Sequence, residues 1–555
     1  MKKAIRVILL VFLATLIFQF LRIVSFQKLR NPRSLQPFFK KGVFHVHSRF
    51  SDGAGDVAHI AAAAEKAKVD FVVLTDHGRP NVEAIHSTCW LHNALIIGGS
   101  ELSLESGHLA AIGFEPPPYR LPPEAQDAVD EIKAAHGWSA VSHPFDKKVP
   151  WRDGNVRGVD GIEIFSVYYS AKKASLFRLL AFPMQYLMSP EYAVTSLFTY
   201  PEKEIRLWDE WNRRSATAGI YALDAHGKLP LTSRIMLPFP SYETLFKTLN
   251  IYVKIDRELD RDPRLAAATI VSSLSRRRFL NVIETLAPAN GFDFYYLDKE
   301  GRKAEMGDQT ESVSGAVHLS VPFDFPTDIS LKRDGLVIAR VPNNWGKELT
   351  LPVSGAGAYR AEVFLSGSRF SRLPWILTNP IFLGNHRSTP SPVLAAVVSK
   401  PLRMEAGLHA ENNQRTMASY ACLHENDASV YSLDFRIWPE SDTNPNYWAA
   451  LARRQNDDWR GARGISFLAS SSSPLRFWIQ FRTDRAAREY GYRHSFFAGP
   501  QWQRVVIPFD RFVPLGDAEP IPDLERISSL FFLIDGDLAY PGTSGTLKLK
   551  DIGLF

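Results

Sequence analysis

The sequence predicts an α/β protein: a closed or nearly closed α/β barrel followed by two β-sandwich domains, with a transmembrane helix at the N-terminus. Three observations predict this order. An apolar run lies near the start, β-like runs alternate with helical stretches over 42–290, and strand-rich sequence with glycine and asparagine turns follows. A chain of 555 residues is too long for one ordinary core, so several domains are expected.

The composition is that of a folded protein, with 45% hydrophobic and 22% charged residues. The net charge is +6, and the first 41 residues hold nine Lys or Arg and no Asp or Glu. A basic segment beside a membrane explains this excess better than nucleic-acid binding, so no nucleic-acid partner is expected. Two cysteines far apart, Cys89 and Cys422, cannot build a disulfide framework and do not fix the compartment.

Residues 1–25 predict a membrane anchor or a signal segment. "MKKAIR" is a positive start, and "VILLVFLATLIFQFL" (7–21) is apolar. No small-residue cleavage site follows, which favours an uncleaved anchor over a cleaved signal peptide. Basic residues flank both sides of the run, so orientation is open, but we expect export of the large domain that follows to the periplasm or cell surface. A basic linker, 26–41, comes next.

Seven β-like runs alternate with helical stretches between residues 42 and 290, which predicts a parallel sheet and suggests a barrel. The runs are "VFHVH", "VDFVVLTDH", "ALIIGGSEL", "LAAIGF", "SAVSHP", "GIEIFS" and "GIYALDAHG". Helices are expected over 56–68 and 122–137. The apolar stretch 171–212 is an insertion, either an interfacial lid that admits lipid-linked molecules or helices packed on the outside of the barrel.

Two further β domains are expected. Residues 291–388 alternate in the manner of a small β-sandwich, "TPSPVLA" (389–395) is typical of a linker, and 396–555 is again strand-rich. The last region, especially 502–555 with its closing "KDIGLF", is similar to galactose-binding-like sandwiches of carbohydrate-binding modules. Four tryptophans there would either stack on sugar rings or fill the core: Trp448, Trp459, Trp478 and Trp502.

Most of the predicted barrel strands end in a side chain that can bind a metal ion, as expected of catalytic residues at the carboxyl rim of an α/β barrel. His108 instead opens a run, and Asp52 lies in the loop after the first pair of histidines. Together these give six histidines and three carboxylates, enough for two or three divalent ions: His45, His47, Asp52, His77, Glu101, His108, His143, Asp224 and His226. One such histidine would more often be structural, but the repetition indicates metal binding. Imidazole-rich sites with carboxylates suit Zn, Mn or Fe better than Mg.

The motifs "HVHSRFSDG", "TDHG", "SELSLESGH", "SHP" and "LDAHG" resemble, in order and spacing, those of the PHP (polymerase and histidinol phosphatase) family. The resemblance covers about 42–290, and the segment after it looks like the extension of a membrane-associated or exported branch. It implies a distorted (β/α)7 barrel, a cluster of two or three Zn, Mn or Fe ions held by the nine residues above, and phosphoester hydrolysis.

Three further residues are candidates for catalysis. Asp76 would orient His77 or move a proton, or would merely cap its strand, while Arg79 and Arg234 would bind phosphoryl oxygens or remain surface charges. The expected substrate is a phosphomonoester or phosphodiester, glycan-linked or lipid-linked. The alternatives are a metal-dependent amidohydrolase and a non-catalytic surface glycan-binding protein; the Ser51-Asp52-Gly53 turn, Glu101 and Asp224-x-His226 favour the phosphoesterase.

Overall fold

The chain divides into two compact units in the computed structural model. The structure describes residues 2–26, 29, 39–230, 236–237, 239–346, 348–384, 400–425, 428–438, 446–485, 488–519 and 521–555. Unit 1 comprises Met1–Glu115 and Val129–Pro390, and unit 2 comprises Pro116–Ala128 and Ser391–Phe555. Most of the basic linker and all of the 389–395 linker lie outside the described residues.

The helices form mainly where the sequence has apolar periodicity, and several begin at a side chain that caps the helix, such as Asp56, which accepts a hydrogen bond from His59 N. Within the described residues the helices are α1 (Lys2–Val24), α2 (Val57–Ala67), α3 (Val82–His86), α4 (Ala125–Ala134), α5 (Val167–Lys173), α6 (Leu176–Met188), α7 (Pro190–Ser196), α8 (Glu202–Asn212), α9 (Tyr242–Phe246) and α10 (Pro263–Ser275). The predicted insertion is therefore helical, as α5 to α8.

The predicted transmembrane helix is not supported. A search of the described residues found no helix that is long and apolar enough to cross a membrane.

The strands of unit 1 form two larger sheets and two smaller ones. Their bounds are β1 (Phe39–Val46), β2 (Phe71–Leu74), β3 (Asp76–His77), β4 (Cys89–Leu91), β5 (Ala94–Ile97), β6 (Gly99–Leu104), β7 (Gly107–Ile112), β8 (Trp138–Val141), β9 (Gly161–Ser166), β10 (Ala218–Ala222), β11 (Leu229–Pro230), β12 (Met236–Leu237), β13 (Leu249–Lys254), β14 (Phe279–Ile283), β15 (Asp293–Asp298), β16 (Lys303–Glu305), β17 (Gln309–Thr310), β18 (Ser314–Ser320), β19 (Pro326–Arg333), β20 (Leu336–Trp345), β21 (Leu349–Ser354), β22 (Gly357–Leu365), β23 (Ile376–Thr378) and β24 (Ile381–Leu383).

The predicted barrel is only partly matched by these sheets. One runs β17-β24-β22-β23-β14-β13-β1-β2-β5-β4, and the other runs β10-β9-β8-β7-β6-β3. The expectation of a purely parallel, alternating pattern is wrong between β6 and β8, where both pairings are antiparallel. Only two residues separate β6 from β7, and so short a connection can join only antiparallel strands. A single closed barrel is not confirmed.

The two larger sheets meet where β10 approaches β1. Leu223 N donates to Phe44 O over 2.9 Å and Ala225 N donates to His45 O over 3.1 Å. The Asn281 side chain on β14 also accepts from Tyr221 N and donates to Gly219 O, at 2.7 and 2.8 Å. These bonds place the residues that follow β10 beside those that end β1.

The region 291–384 both forms a sheet of its own and extends the first one. Strands β16-β15-β18-β21 form a four-stranded antiparallel sheet, whereas β22 and β23 continue the sheet of β13 and β14. A buried ion pair ties β22 to α8, because the guanidinium of Arg360 donates two hydrogen bonds to Asp209, at 3.0 and 2.9 Å.

Unit 2 has two six-stranded sheets, β27-β28-β36-β30-β33 with β25 on β36, and β26-β29-β35-β31-β32-β34. Their bounds are β25 (Lys400–Pro401), β26 (Leu408–Asn412), β27 (Thr416–Glu425), β28 (Ala428–Ile437), β29 (Trp448–Asp457), β30 (Gly464–Ser471), β31 (Leu475–Arg485), β32 (Arg488–Ala498), β33 (Gln503–Pro508), β34 (Val513–Pro514), β35 (Ile527–Asp535) and β36 (Ser544–Leu554), with a 3-10 helix at Phe509–Arg511. Trp459 and Trp478 are buried, so of the four tryptophans these two are core residues.

Replacing Arg360 with Met is expected to destabilise unit 1 by about 3–5 kcal/mol, because it leaves the buried carboxylate of Asp209 without its cation and leaves Glu362 with Lys332 alone. Urea unfolding of the full chain measures the loss. Arg206→Met, which breaks an exposed pair with Glu202, is the control and should change little. Equal effects of both substitutions would contradict this account.

Candidate metal centre

Three of the predicted ligands lie in backbone conformations that favour glycine. The φ angles are 68° at His45, 52° at Asp224 and 28° at His143. Each such residue costs roughly 1–3 kcal/mol, and costs of this kind are concentrated at functional sites. At the end of β1 the register to β2 also shifts between Val43 and Val46. The bend brings the Nε2 atoms of His45 and His47 to 3.0 Å from each other, so that both rings are directed to one point.

The carboxylate of Glu101, at the middle of β6, lies at the centre of the histidines and is almost fully buried. Five imidazole nitrogens lie within 3.5 Å of its oxygens: His143 Nε2 at 3.0 Å, His77 Nδ1 at 3.1 Å, His108 Nδ1 at 3.2 Å, and His45 Nε2 and His47 Nε2 at 3.5 Å. Burial alone would raise the pKa of Glu101, but the neighbouring His45, His108 and His143 lower it well below its usual range. Glu101 is therefore an ionised, acceptor-only group.

Asp52 and Asp224 supply the other two carboxylates. Asp224 Oδ1 lies 3.5 Å from His47 Nε2 and 3.6 Å from His45 Nε2, while Asp52 Oδ2 lies 3.2 Å from His226 Nε2. Although burial opposes ionisation, the nearby histidines lower the pKa of both aspartates far below the usual value. The rings of His47 and His226 stack at 4.2 Å, which brings the end of β1 and the loop after β10 together.

The structure brings the nine predicted ligands together. Eight of them fall into three groups whose ligand atoms lie within 4.8 Å of one another: His47, Asp52, His77 and His226; His45, His47 and Asp224; His77, Glu101 and His108. The ninth, His143, contacts Glu101. Groups that share members in this way suit neighbouring ions with common ligands.

A cation fits the donor set better than hydrogen bonds do. Nδ1 of His77 and Nδ1 of His108 are buried and make no hydrogen bond among the described residues, although each lies close to Glu101. A nitrogen lone pair and a carboxylate oxygen that approach without hydrogen-bond geometry are suited to share a positive ion between them. The residues present therefore fit a metal centre.

The histidines also hold protons in place of metal. Burial lowers the pKa of His143, but the hydrogen bond and charge of Glu101 outweigh burial and raise it to about 9. The pKa values of His45 and His226 rise for the same reason, through Glu163, Glu101 and Asp224 at His45 and through Asp52 and Asp224 at His226. Burial lowers the pKa of His77.

Glu163 on β9 contacts two of the predicted ligands, His45 and His143. Its carboxylate contacts His45 Nδ1 and accepts a hydrogen bond from His143 N at 2.8 Å. A carboxylate on the far nitrogen of a metal-binding histidine fixes the ring orientation and increases its basicity. The sequence pattern left open whether Glu163 supports a metal ligand or simply ends a strand, and its contacts with His45 and His143 favour the first.

Asp76 contacts other residues than those predicted. It accepts hydrogen bonds from Ser48 N and Ser48 Oγ, both at 2.8 Å, and from Ser51 Oγ at 2.6 Å. These bonds shape the turn that presents Asp52, so Asp76 acts on the centre through this turn. Arg79 is half-buried in the loop after β3, outside the three ligand groups, and Arg234 lies outside the described residues.

Tyr242 is a residue of the candidate centre that the sequence pattern missed. Its hydroxyl lies 2.8 Å from His47 O and 3.0 Å from His226 O, and it accepts from Gly55 N at 3.2 Å. It thus joins the end of β1, the loop carrying Asp52 and the loop after β10. Tyr242 lies in α9, with no strand-end motif nearby, so only the aromatic residue itself was visible in the sequence.

A cavity of about 250 Å³ borders the centre at His143 and Glu163. Hydroxyl and ammonium groups are among its walls, from Ser166, Tyr169, Ser170, Lys173 and Tyr200. The Oε2 atom of Glu204, another wall residue, is buried and makes no hydrogen bond among the described residues. The cavity has room for a small hydrogen-bonding group beside the metal ligands.

No family model matches the chain, and no curated protein matches it. Among solved structures it is similar to a two-domain protein from Bacteroides vulgatus containing a predicted PHP-like metal-dependent phosphoesterase, with 14% identity, a TM-score of 0.32, and coverage of 64% of this chain and 99% of that one. It is also similar to a family 11 carbohydrate-binding module of a Clostridium thermocellum cellulase, with 18% identity, a TM-score of 0.24, and coverage of 29% and 96%. At such values the function has to be argued from the site itself.

The affinity of the centre for Zn²⁺ or Mn²⁺ is expected to rise with pH up to about 9, because the metal must displace protons that Glu101 holds on His143. Chelator competition with the full chain at a series of pH values measures it. The stability of the metal-free protein should change with pH in the opposite direction. The free energy of unfolding that these protons contribute is complete below pH 6.5 and is lost as the pH rises to about 9.

Two variants test this expectation. Glu101→Gln should bind metal far more weakly, whereas His318→Gln, on β18 outside the ligand groups, should bind as the parent chain does. A metal affinity that does not change with pH would contradict a protonated metal-free centre.

Proposed function

We propose that this chain is a metal-dependent hydrolase that cleaves phosphoesters with two or three Zn, Mn or Fe ions. The observation that supports it is the convergence of six histidines with three carboxylates, one of which is the buried Glu101. Such a set neutralises several positive charges yet leaves a cationic centre once loaded, which suits an anionic phosphoryl group. As part of the proposal, the contact of β10 with β1 closes the strands into a distorted barrel.

When bound, the ions would supply hydroxide at neutral pH and neutralise charge on the phosphoryl oxygens. The chain's own residues hold this arrangement in place. Glu163 orients His45, Asp76 holds the turn of Asp52, and Tyr242 fixes the backbone of His47 and His226. The alcohol part of the ester would occupy the cavity beside His143, where Glu204 Oε2 can accept a hydrogen bond.

An amidohydrolase would use a similar ligand set, so the leaving group has to be tested. The number of residues that can bind a cation favours a phosphoester substrate over an amide. Nine residues can hold more than one ion, and neighbouring ions clamp both the attacking and the leaving oxygens of a phosphoryl group.

The metal-loaded full chain should hydrolyse p-nitrophenyl phosphate or bis-p-nitrophenyl phosphate and leave p-nitroacetanilide intact. Asp224→Asn should lower kcat by at least about 100-fold, because it removes a charge from the ligand set while keeping the shape of the side chain. Asp256→Asn, which alters an exposed acid of unit 1, is the matched control. Preferential cleavage of the anilide would establish the amidohydrolase instead.

A second candidate function, glycan binding, is favoured by a groove in unit 2. Its volume is about 630 Å³ and its walls include Trp448, Tyr447, Asn446, Gln480 and Asp537. An aromatic ring beside amide and carboxylate groups suits a sugar, whose ring stacks while its hydroxyl groups make hydrogen bonds. Burial, together with the charge of Asp537, raises the pKa of Asp535 in the same wall to about 6.

Trp448→Ala should weaken the binding of glycans to the full chain by about tenfold, through the loss of ring stacking. Affinity electrophoresis against neutral and acidic polysaccharides measures this. Trp502→Ala is the matched control, because Trp502 is partly exposed outside the groove and is covered by Lys550. If both variants bind as the parent chain does, the groove is not a glycan site.

A further inference from the structure

Helix α6 presents a large apolar face to the outside of unit 1. Leu176, Phe177, Leu180 and Leu187 are 66–87% exposed, whereas Phe182 and Gln185 are buried. At 3.6 residues per turn, the exposed residues lie on one side of the helix and the buried pair lies on the other. Patches of this kind on a folded protein mark an interaction surface.

Helix α1 has the same pattern and is joined to α6. Leu13, Ile17, Leu21 and Val24 are more than half exposed, and they lie opposite Gln19, which is fully buried. Gln185 Nε2 donates to Gln19 Oε1 over 2.7 Å, so the buried sides of the two helices meet at a polar contact. This is the reverse of a water-soluble pair, whose apolar sides meet and whose polar sides face outwards.

The charge of the neighbouring sequence points to the partner. The first 41 residues hold nine Lys or Arg and no acid, which exceeds the net charge of +6 of the whole chain. A second copy would bring the same basic segments together, which repel each other, whereas an anionic lipid surface attracts them. Apolar faces flanked by basic residues are typical of helices that lie in the lipid–water interface.

This apolar face lies beside the metal centre. Tyr186 of α6 accepts a hydrogen bond from Ser241 N at 3.2 Å and its ring packs against Phe239 at 5.5 Å. Tyr242, which follows Ser241 in the sequence, contacts the backbone carbonyl oxygens of His47 and His226 through its hydroxyl. On the other side, Tyr168 of α5, the helix that leads into α6, lies 5.8 Å from the ring of His226. Any surface that binds to α6 therefore lies close to the predicted metal ligands.

We infer that α1 and α6 form one lipid-contacting face that seats the metal centre at an anionic membrane surface. The substrate is then an amphiphile whose phosphoester lies at the level of the lipid headgroups. The inference of a lipid-contacting face depends only on the two helices and their charged flanks, whereas the inferred substrate class rests on the proposed phosphoesterase function.

Vesicle flotation of the full chain tests the face. Leu180→Lys with Leu187→Lys on α6, and Ile17→Lys with Leu21→Lys on α1, should each weaken binding to vesicles of phosphatidylcholine and phosphatidylglycerol by at least tenfold, since charged groups replace buried apolar area. Leu336→Lys with Ile338→Lys is the matched control, because these apolar residues are also exposed, by 71% and 42%, on β20 but are distant in sequence from both helices. Unchanged metal content shows that the variants remain folded.

Activity assays on the same variants test the inferred substrate class separately from the phosphoesterase activity. The α6 pair should lose at least tenfold activity on phosphatidic acid in vesicles and keep its activity on p-nitrophenyl phosphate. Equal activity of the parent chain and the α6 pair on vesicles, or flotation unaffected by both helix pairs, would overturn the inference. Loss of self-association in sedimentation, without any change in flotation, would assign the face to a second copy and also overturn it. Flotation as expected, with neither ester cleaved, would leave the face standing and refute the phosphoesterase.

Discussion

The buried carboxylate of Glu101 is the constraint on which the rest of the site depends. A charge with almost no access to water is costly unless partners surround it, and here five imidazole nitrogens do so. The histidines come from the ends of β1 and β3, the start of β7 and the loop after β8, so their convergence requires three strands to end, and the antiparallel β7 to begin, at one place. The strained φ angles at His45 and His143 follow from that requirement, since relaxed backbone would direct the rings elsewhere.

The contact between β10 and β1 has a similar role for the aspartates. Backbone bonds from Leu223 and Ala225 to β1 place Asp224 beside the two histidines of that strand, and Tyr242 then closes the adjoining loops. The predicted function therefore relies on long-range pairing between residues about 180 apart in sequence, supported by side-chain amides such as Asn281. Local propensity has little influence here, because strand order and register are set by packing.

Most of the ligands could be predicted from sequence because they end or follow a β-like run, and carboxyl ends of strands gather at one rim whatever their exact order. Glu101 in the middle of β6 and His108 at the start of β7 are the exceptions. The direction of β7 could not be predicted in this way. Its apolar run has the same composition as a parallel strand, and only the two-residue turn before it decides the antiparallel pairing. Asp76 shows a related limit: its position after a strand was visible, but its partners Ser48 and Ser51 depend on the fold of a different loop. Buried and exposed tryptophans of unit 2 likewise have the same sequence signature.

Unit 1 thus distributes polar and apolar groups in two opposite ways, and both have the same physical cause. Around Glu101, charged groups are buried, which is favourable only if a cation of comparable charge joins them. On α1 and α6 apolar groups are exposed, which is favourable only if something other than water covers them. Since Tyr186 and Tyr242 lie on one continuous set of contacts, whatever covers α6 bears on the loops that hold His47 and His226. A lipid surface satisfies the exposed face, and a phosphoester at its headgroup level is an anion suited to the loaded centre, so the two unusual features of unit 1 are consistent with one class of substrate.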